Sequence, residues 1–320
     1  MSEFDLIRRL TAGAITRRDD VVVGPGDDGA VMAVPPGHEL VLTTDALVSG
    51  RHFPADTPPA DIGWKSLAVN LSDLAAMGAE PAWVTVALVL PERDLDWLTG
   101  FMAGFAPLLE GRGAAVVGGG LTRGPLTVSI QAAGLVPAGR ALRRDGARPG
   151  DRIAVTGTLG DAAAGLGDWL AARHPVDEHD RHLRDRLTRP APRLAAGCWL
   201  RDRASAAVDV SDGLAADLMH LLAASGVGGW IDPSSLPASA ALRYRLSDAD
   251  RVAAQLSGGD DYELCVCLPA AVADVAMTDC PDGLTVVGRV EAEAGLRLVG
   301  PDGSMQAWQG TGYDHFPIGG

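Results

Sequence analysis

Residues 61–78, DIGWKSLAVNLSDLAAMG, read as a largely buried helix that nonetheless carries one polar stripe. At helical spacing Leu67, Leu71 and Leu74 form an apolar face, Ala68, Ala75 and Ala76 let neighbouring backbone come close, and Ser66, Asn70 and Asp73 align on a separate face. Asp61 is placed to cap the start and Gly78 to end it. A carboxylate on such a helix is costly to bury unless something positive meets it. Asp73 therefore reads either as a metal ligand or as a partly exposed helical aspartate.

Outward from this helix the chain alternates extended runs and helices. Toward the N-terminus, residues 4–12 have the pattern of a short amphipathic helix, and residues 21–23 are an apolar run ending in the turn GPGDDG at 24–29. Asp27 and Asp28 sit in that glycine-framed bend, where aspartate is favoured for its own backbone bonds, so turn formation and ligand binding both explain them. Residues 39–45, ELVLTTD, form an extended run whose Thr43, Thr44 and Asp45 are hard oxygen donors of the kind magnesium prefers. His52 follows in a loop. Beyond the helix, residues 83–90 and 114–117 read as buried strands around a helix at 93–111. The glycines at 118–120 read as a place where backbone approaches a ligand closely, or as a flexible turn.

Residues 139–150 form a polar connector with Arg140, Arg143 and Arg144, and the domain boundary is expected there, between 1–138 and 139–320. The second half continues with a strand at 152–155, a helix at 161–172, a loosely ordered charged segment at 173–188 and a strand ending near Asp209. Ser211 is a natural N-cap for a helix at 214–224, and a helix start favours phosphate. A helix-like stretch at 236–255 leads to a third glycine and aspartate cluster, GGDDYE at 258–263, before a strand at 264–268.

Composition limits what these clusters can serve. The chain has 320 residues, 47% of them hydrophobic, enough for two domains with real cores. Its net charge of -14 argues against a general nucleic-acid or anionic-membrane binder, because either needs a basic surface. Lys65 is the only lysine, and it lies within a helix, so no P-loop is present and any side-chain phosphate clamp must use arginine. The protein-kinase motif set is absent too. Cys198, Cys265, Cys267 and Cys280 lack ligand-like spacing and read as reduced structural thiols. The N-terminus lacks a signal-peptide plan and the longest apolar run is too short to span a bilayer, so a cytoplasmic protein is expected. A dispersed set of aspartates beside glycine turns, with few basic residues, is the inventory for binding phosphates through several magnesium ions.

The strings GDDGA (26–30), TTDALVSGRHF (43–53), AVNLSDLAAMGA (68–79), DVSDGL (209–214), GGDDYEL (258–264) and GYDHF (312–316) resemble the thiamine-monophosphate kinase family, in the family's order over essentially the whole chain. The resemblance implies an α/β (α+β) fold of two domains like aminoimidazole ribonucleotide synthetase, with a homodimer formed largely by the N-terminal domains. It also implies direct transfer of the ATP γ-phosphate to thiamine phosphate. Carried over by position, Asp28, Thr43, Thr44, Asp45, Asp73, Asp209 and Asp212 correspond to the Mg2+ shell. Gly119, Gly120, Arg144 and Ser211 correspond to ATP contacts, and His52, Asp260 and Tyr313 to substrate contacts. The acceptor is already an ionised phosphate oxygen, with a second pKa of about 6, so no catalytic base or side-chain nucleophile is required.

The chain departs from the family at two places. Gly120 and Leu121 stand where the family has a magnesium-binding aspartate and a threonine, and Asp260 stands for a glutamate. The first departure motivates an alternative reading, a catalytically silent sensor of thiamine phosphate or nucleotide. Another ATP-dependent enzyme of the same superfamily is a further alternative, although the chain ends in Ile318, Gly319 and Gly320 without the cysteine of the hydrogenase-maturation factors.

Overall fold

A computed structural model describes residues 18–310. The expected helix at 4–12 and Tyr313 lie outside the described residues. The chain divides into two compact units, one of residues 1–74 and 79–141, the other of residues 75–78 and 142–320.

In the first unit β1 (Val21–Val23) pairs antiparallel with β2 (Val31–Met32), which places the 24–29 turn at the tip of a hairpin. There follow β3 (His38–Val48), α1 (Pro59–Ala76), β4 (Glu80–Leu90), α2 (Leu95–Leu109), β5 (Ala115–Arg123) and β6 (Thr127–Pro137). The four long strands form a sheet in the order β3-β6-β4-β5. β4 and β5 run parallel and need a crossover, which α2 supplies, while β6 pairs antiparallel with both β3 and β4.

The helix at the centre of the sequence reading is buried as expected: Leu67, Leu71 and Leu74 are fully buried, and so are Ser66 and Asn70. Its ends differ in detail. The helix starts at Pro59, so Asp61 lies inside the first turn, where a carboxylate meets the positive end of the helix dipole, rather than at the cap. At the other end Gly78 takes φ +66, with Gly78 N–H donating to Ala75 O and Ala79 N–H to Leu74 O, a Schellman closure. Close approach to α2 depends on glycine, since a Cβ on Gly104 would lie 1.7 Å from the Ala60 carbonyl oxygen.

The glycines at 118–120 are a correction to the sequence reading. They lie inside β5, paired with β4 at Thr85, Val86 and Ala87, rather than in a turn. Ladder pairing outweighs the local preference of glycine for turns, and the missing side chain at Gly119 accommodates the Val86 carbonyl, 2.1 Å from where a Cβ would sit.

The second unit contains β7 (Arg152–Val155), α3 (Asp161–Leu170), α4 (Glu178–Thr188), α5 (Leu194–Leu200), β8 (Ala206–Asp209), α6 (Leu214–Ala224) and β9 (Gly228–Ile231). After them come α7 (Ala240–Arg245), α8 (Asp248–Ser257), β10 (Leu264–Leu268), α9 (Ala270–Asp279), β11 (Thr285–Glu291), β12 (Gly295–Val299) and β13 (Met305–Ala307). Its sheet runs β13-β12-β9-β11-β7-β10-β8, antiparallel except for β12 beside β9. The core gathers Ile153, Val155, Val208, Leu214, Leu218, Leu221 and Ile231.

Two expectations fail here. Residues 178–188 are helical rather than loosely ordered: Asp177 caps the start by accepting from Asp180 N–H, and Leu183 and Leu187, one turn apart, are buried. The stretch at 236–255 holds two helices, because extended backbone at Leu246 ends one run and Ser247 caps the next by accepting from Asp250 N–H.

Candidate active site

The polar stripe of α1 lies against β3. Along β3 side chains alternate, so Thr43 and Asp45 share one face and Thr44 takes the other. Thr43 Oγ1 donates to Asp73 Oδ2 at 2.5 Å, and Asp45 N–H donates to Asn70 Oδ1 at 3.1 Å. Asn70 in turn donates from Nδ2 to the Ser66 carbonyl at 3.0 Å, and Ser66 Oγ donates to Gly63 O at 3.1 Å. Each polar group of the stripe is thus held by its neighbour, and Asp73, only partly buried, stands at the end of the row.

From sequence, residues 43–45 are expected at a strand end. They lie inside an eleven-residue strand whose pairing with β6 continues to Val48. Thr44 Oγ1 donates across to Ile130 O at 3.0 Å, so its hydroxyl is on the face opposite Asp73. His52 closes the turn after β3: its Nδ1 accepts from Val48 N–H at 3.0 Å, which leaves the ring proton on Nε2. Asp28 is exposed in the hairpin turn, where its N–H donates to Asp27 Oδ1 at 2.9 Å. That bond assigns Asp27 to the turn. At Gly120 an added Cβ would meet nothing within 4 Å.

In the second unit two motifs some fifty residues apart in sequence become neighbours because β8 and β10 pair directly, Asp209 opposite Leu264. The pairing extends into both loops. Val210 N–H donates to Glu263 O at 2.8 Å, Tyr262 N–H to Val210 O at 2.8 Å, and Asp260 N–H to Ser211 O at 2.9 Å. Ser211 and Asp260, separate in the sequence reading, therefore share one backbone ladder. Asp260 and Tyr262 take left-handed φ values of +69 and +51, and Tyr262 OH donates to Asp260 Oδ1 at 3.0 Å. Beneath this strained loop Glu263 is fully buried and held by both Arg193 and Arg186.

Ser211 does not cap α6 as expected. The N-cap is Gly213, without a side-chain bond, because φ +110 there turns the chain before the helix begins. Asp217, in the first turn of α6, instead reaches back, and its Oδ2 accepts from both Ser211 N–H and Asp212 N–H at 2.9 and 3.0 Å. Burial pushes the Asp217 carboxyl up to about 7, against the two N–H bonds and the nearby Arg144 charge, which favour its ionised form. Arg144 itself is exposed, and its carbonyl accepts from Ser225 Oγ at 2.7 Å. Asp217, Tyr262 and Glu263 were missed as site residues; the available signal for Asp217 was an acidic residue one turn after a glycine that opens a helix.

Among the described residues no three His, Cys, Asp or Glu side chains form a ready-made metal cluster. What is assembled is a set of hard oxygen donors, carboxylate and hydroxyl, whose chemistry fits magnesium completed by phosphate oxygens and water. Among the described residues no helix is long and apolar enough to cross a membrane.

Comparison with known proteins follows the same division. Residues 26–136 match the AIR synthase related protein N-terminal domain, and residues 148–300 the C-terminal domain. The chain is 46% identical to the thiamine-monophosphate kinase of Salmonella typhimurium and 44% to that of Escherichia coli, over 98% of each chain. A crystal structure of thiamine-monophosphate kinase from Stenotrophomonas maltophilia superposes with a TM-score of 0.87 at 47% identity, covering 96% of this chain and 98% of that one. AaThiL complexed with AMPPCP and TMP superposes at 0.80 with 32% identity, covering 98% and 96%. The E. coli hydrogenase maturation protein HypE, at 21% identity and a TM-score of 0.76, covers 96% and 95% and shares the fold alone.

Proposed function

The chain belongs to the thiamine-monophosphate kinase family, and from that membership we propose that it transfers the γ-phosphoryl group of ATP directly to thiamine phosphate, giving thiamine diphosphate and ADP. The observation that carries this is that oxygen donors the resemblance points to stand in bonded rows: Thr43 on Asp73 and Asp45 on Asn70 in one unit, Ser211 on Asp260 in the other. The silent-sensor alternative is not favoured.

In the first unit Asp28, Thr43, Thr44, Asp45 and Asp73 would hold magnesium, and in the second Asp209 and Asp212. The Thr44 hydroxyl would have to exchange its bond to Ile130 O for the metal. Bound magnesium supplies neutralisation of the phosphate charges. Gly119, Gly120, Arg144 and Ser211 contact ATP; the bare backbone at 118–120 lets phosphate approach. His52, Asp260 and Tyr313 contact thiamine phosphate. No residue accepts a proton from the acceptor oxygen, which is already ionised near neutral pH. The work of the side chains is alignment and charge, which the bonded rows on α1 and along β8 and β10 fix in advance.

A homodimer through the first unit accounts for the outward face of its sheet, where Leu40 and Leu42 are 47% and 65% exposed. Four free thiols fit the reducing cytoplasm.

The test is product analysis with purified protein, ATP and thiamine phosphate, other phosphate monoesters being assayed in parallel. Equimolar thiamine diphosphate and ADP, with inversion at a chiral γ-phosphorus, is expected. Turnover of a different acceptor, or retention through a phosphoenzyme, would overturn it.

A further inference from the structure

The backbone of the turn that carries Ser211 and Asp212 is held by a side chain of the helix that follows. Asp217 is 5% exposed and two backbone N–H groups converge on one of its oxygens, Oδ2. On the other side of the same peptide, Ser211 O accepts from Asp260 N–H. The Ser211 residue is therefore pinned at both its N–H and its C=O, while Gly213, at φ +110, lets the chain turn sharply into α6. A Cβ on Gly213 would come within 2.9 Å of the Ser257 backbone, so the turn has no room to relax in that direction.

This arrangement has a chemical consequence. The two amides before α6 would be donors for an anion. Both are already consumed by an internal carboxylate, and a second anion cannot use them. Ser211 and Asp212, both half-buried, bring a hydroxyl and a carboxylate to the turn, chemistry suited to a cation-bridged phosphate rather than to a bare one.

We propose that Asp217 is a positioning residue for phosphoryl transfer: as a buried acceptor bridging two amides, it sets the orientation of Ser211 and Asp212 and, through the Ser211 carbonyl, of Asp260. This rests on the kinase reading given above. Asp217 touches no reactant. Its effect is on how well the turn meets metal and nucleotide.

Three variants separate the acceptor from the charge and the volume. Asp217→Asn keeps an oxygen acceptor, Asp217→Ala removes it, and Asp217→Leu removes it while filling the space. Asp151 supplies a control, being a 7% exposed carboxylate in the same unit that accepts from Arg148 N–H and Ser205 Oγ, outside the site. Turnover, the magnesium concentration for half-maximal rate and the thermal midpoint are read for each, with calorimetric affinity for magnesium–AMPPCP alongside. Asp217→Asn should stay close to the parent protein in rate and magnesium requirement. Asp217→Ala and Asp217→Leu should lose kcat by on the order of tenfold to a hundredfold, the scale of a misplaced reacting group, and should need more magnesium. Asp151→Ala should lower the midpoint without moving the magnesium requirement. Unchanged magnesium dependence and analogue affinity in Asp217→Ala and Asp217→Leu, or an Asp217→Asn as impaired as they are, would overturn the proposal. A parent protein that binds the analogue but makes no thiamine diphosphate would count against the kinase reading instead, and the affinity series would still decide the role of Asp217.

Discussion

Replacing Glu263 by Gln should separate stability from substrate recognition in a measurable way. Glu263 is fully buried, and four donors converge on it: Arg193 Nε and Nη2 at 2.6 Å each, Arg186 Nη2 at 2.8 Å and Thr156 Oγ1 at 2.7 Å. Both oxygens face Arg193, so whichever way a glutamine amide is turned, its NH2 meets an N–H of the guanidinium. The neutral side chain also leaves two arginines sharing less negative charge. Burial alone would lower the Arg193 pKa; its bond to Glu263 and the Glu263 charge outweigh that and hold it above its ordinary value. Removing one partner of such a buried set costs about 3–5 kcal/mol. For a unit of this size that corresponds to a midpoint lower by roughly 6–20 °C. The same residue anchors the loop in which Asp260 and Tyr262 hold left-handed backbone, a strain of about 1–3 kcal/mol per residue that the surroundings must impose. With the anchor weakened the loop should relax, raising KM for thiamine phosphate more than it lowers kcat. Scanning calorimetry and steady-state kinetics below the new midpoint check both halves. A midpoint within about 2 °C of the parent protein would refute the energetic reasoning, and an unchanged KM would refute the coupling to Asp260.

Other outcomes follow from the same structure. Gly120→Asp should lower the magnesium concentration for half-maximal rate, because a Cβ added there meets nothing within 4 Å; an unchanged requirement would count against a missing ligand at this position. In the native protein Cys265, Cys267 and Cys280 should resist a thiol reagent, since burial raises all three, Cys280 to about 12, whereas half-buried Cys198 should react first. Asp20 is held below its ordinary pKa, chiefly by its bond to Arg18, with Trp83 Nε1 also donating and burial opposing. A depressed folded-state pKa stabilises above the unfolded value and is lost as pH falls through the folded one. The stability difference between the parent protein and Asp20→Asn should therefore be present at neutral pH and fade below about pH 4 in acid-unfolding curves.

Much of the site was legible because its residues keep helical or strand spacing. The stripe of Ser66, Asn70 and Asp73 could be read from period alone, and the alternation that sends Thr44 away from Thr43 and Asp45 was equally present in the sequence. What could not be read depends on partners distant in the chain. Glycines at 118–120 look like a turn until β4 is known to lie alongside. The charge of residues 178–188 hides Leu183 and Leu187, which are enough to fix a helix once a surface exists to bury them. The meeting of Ser211 with Asp260 follows from strand order, which no local pattern encodes. Asp217 is hard to read for a related reason: its partners are backbone amides, and the only local signal is an acidic residue one turn after the glycine that opens the helix.

A magnesium titration of thiamine diphosphate formation, with the parent protein and Asp73→Asn, decides whether oxygen-donor side chains make this chain a magnesium-dependent kinase for thiamine phosphate. Magnesium-dependent product is expected in the parent protein and none above background in Asp73→Asn at any magnesium level, with the variant's circular dichroism unchanged. Magnesium-independent product, or an Asp73→Asn that turns over like the parent, would contradict it.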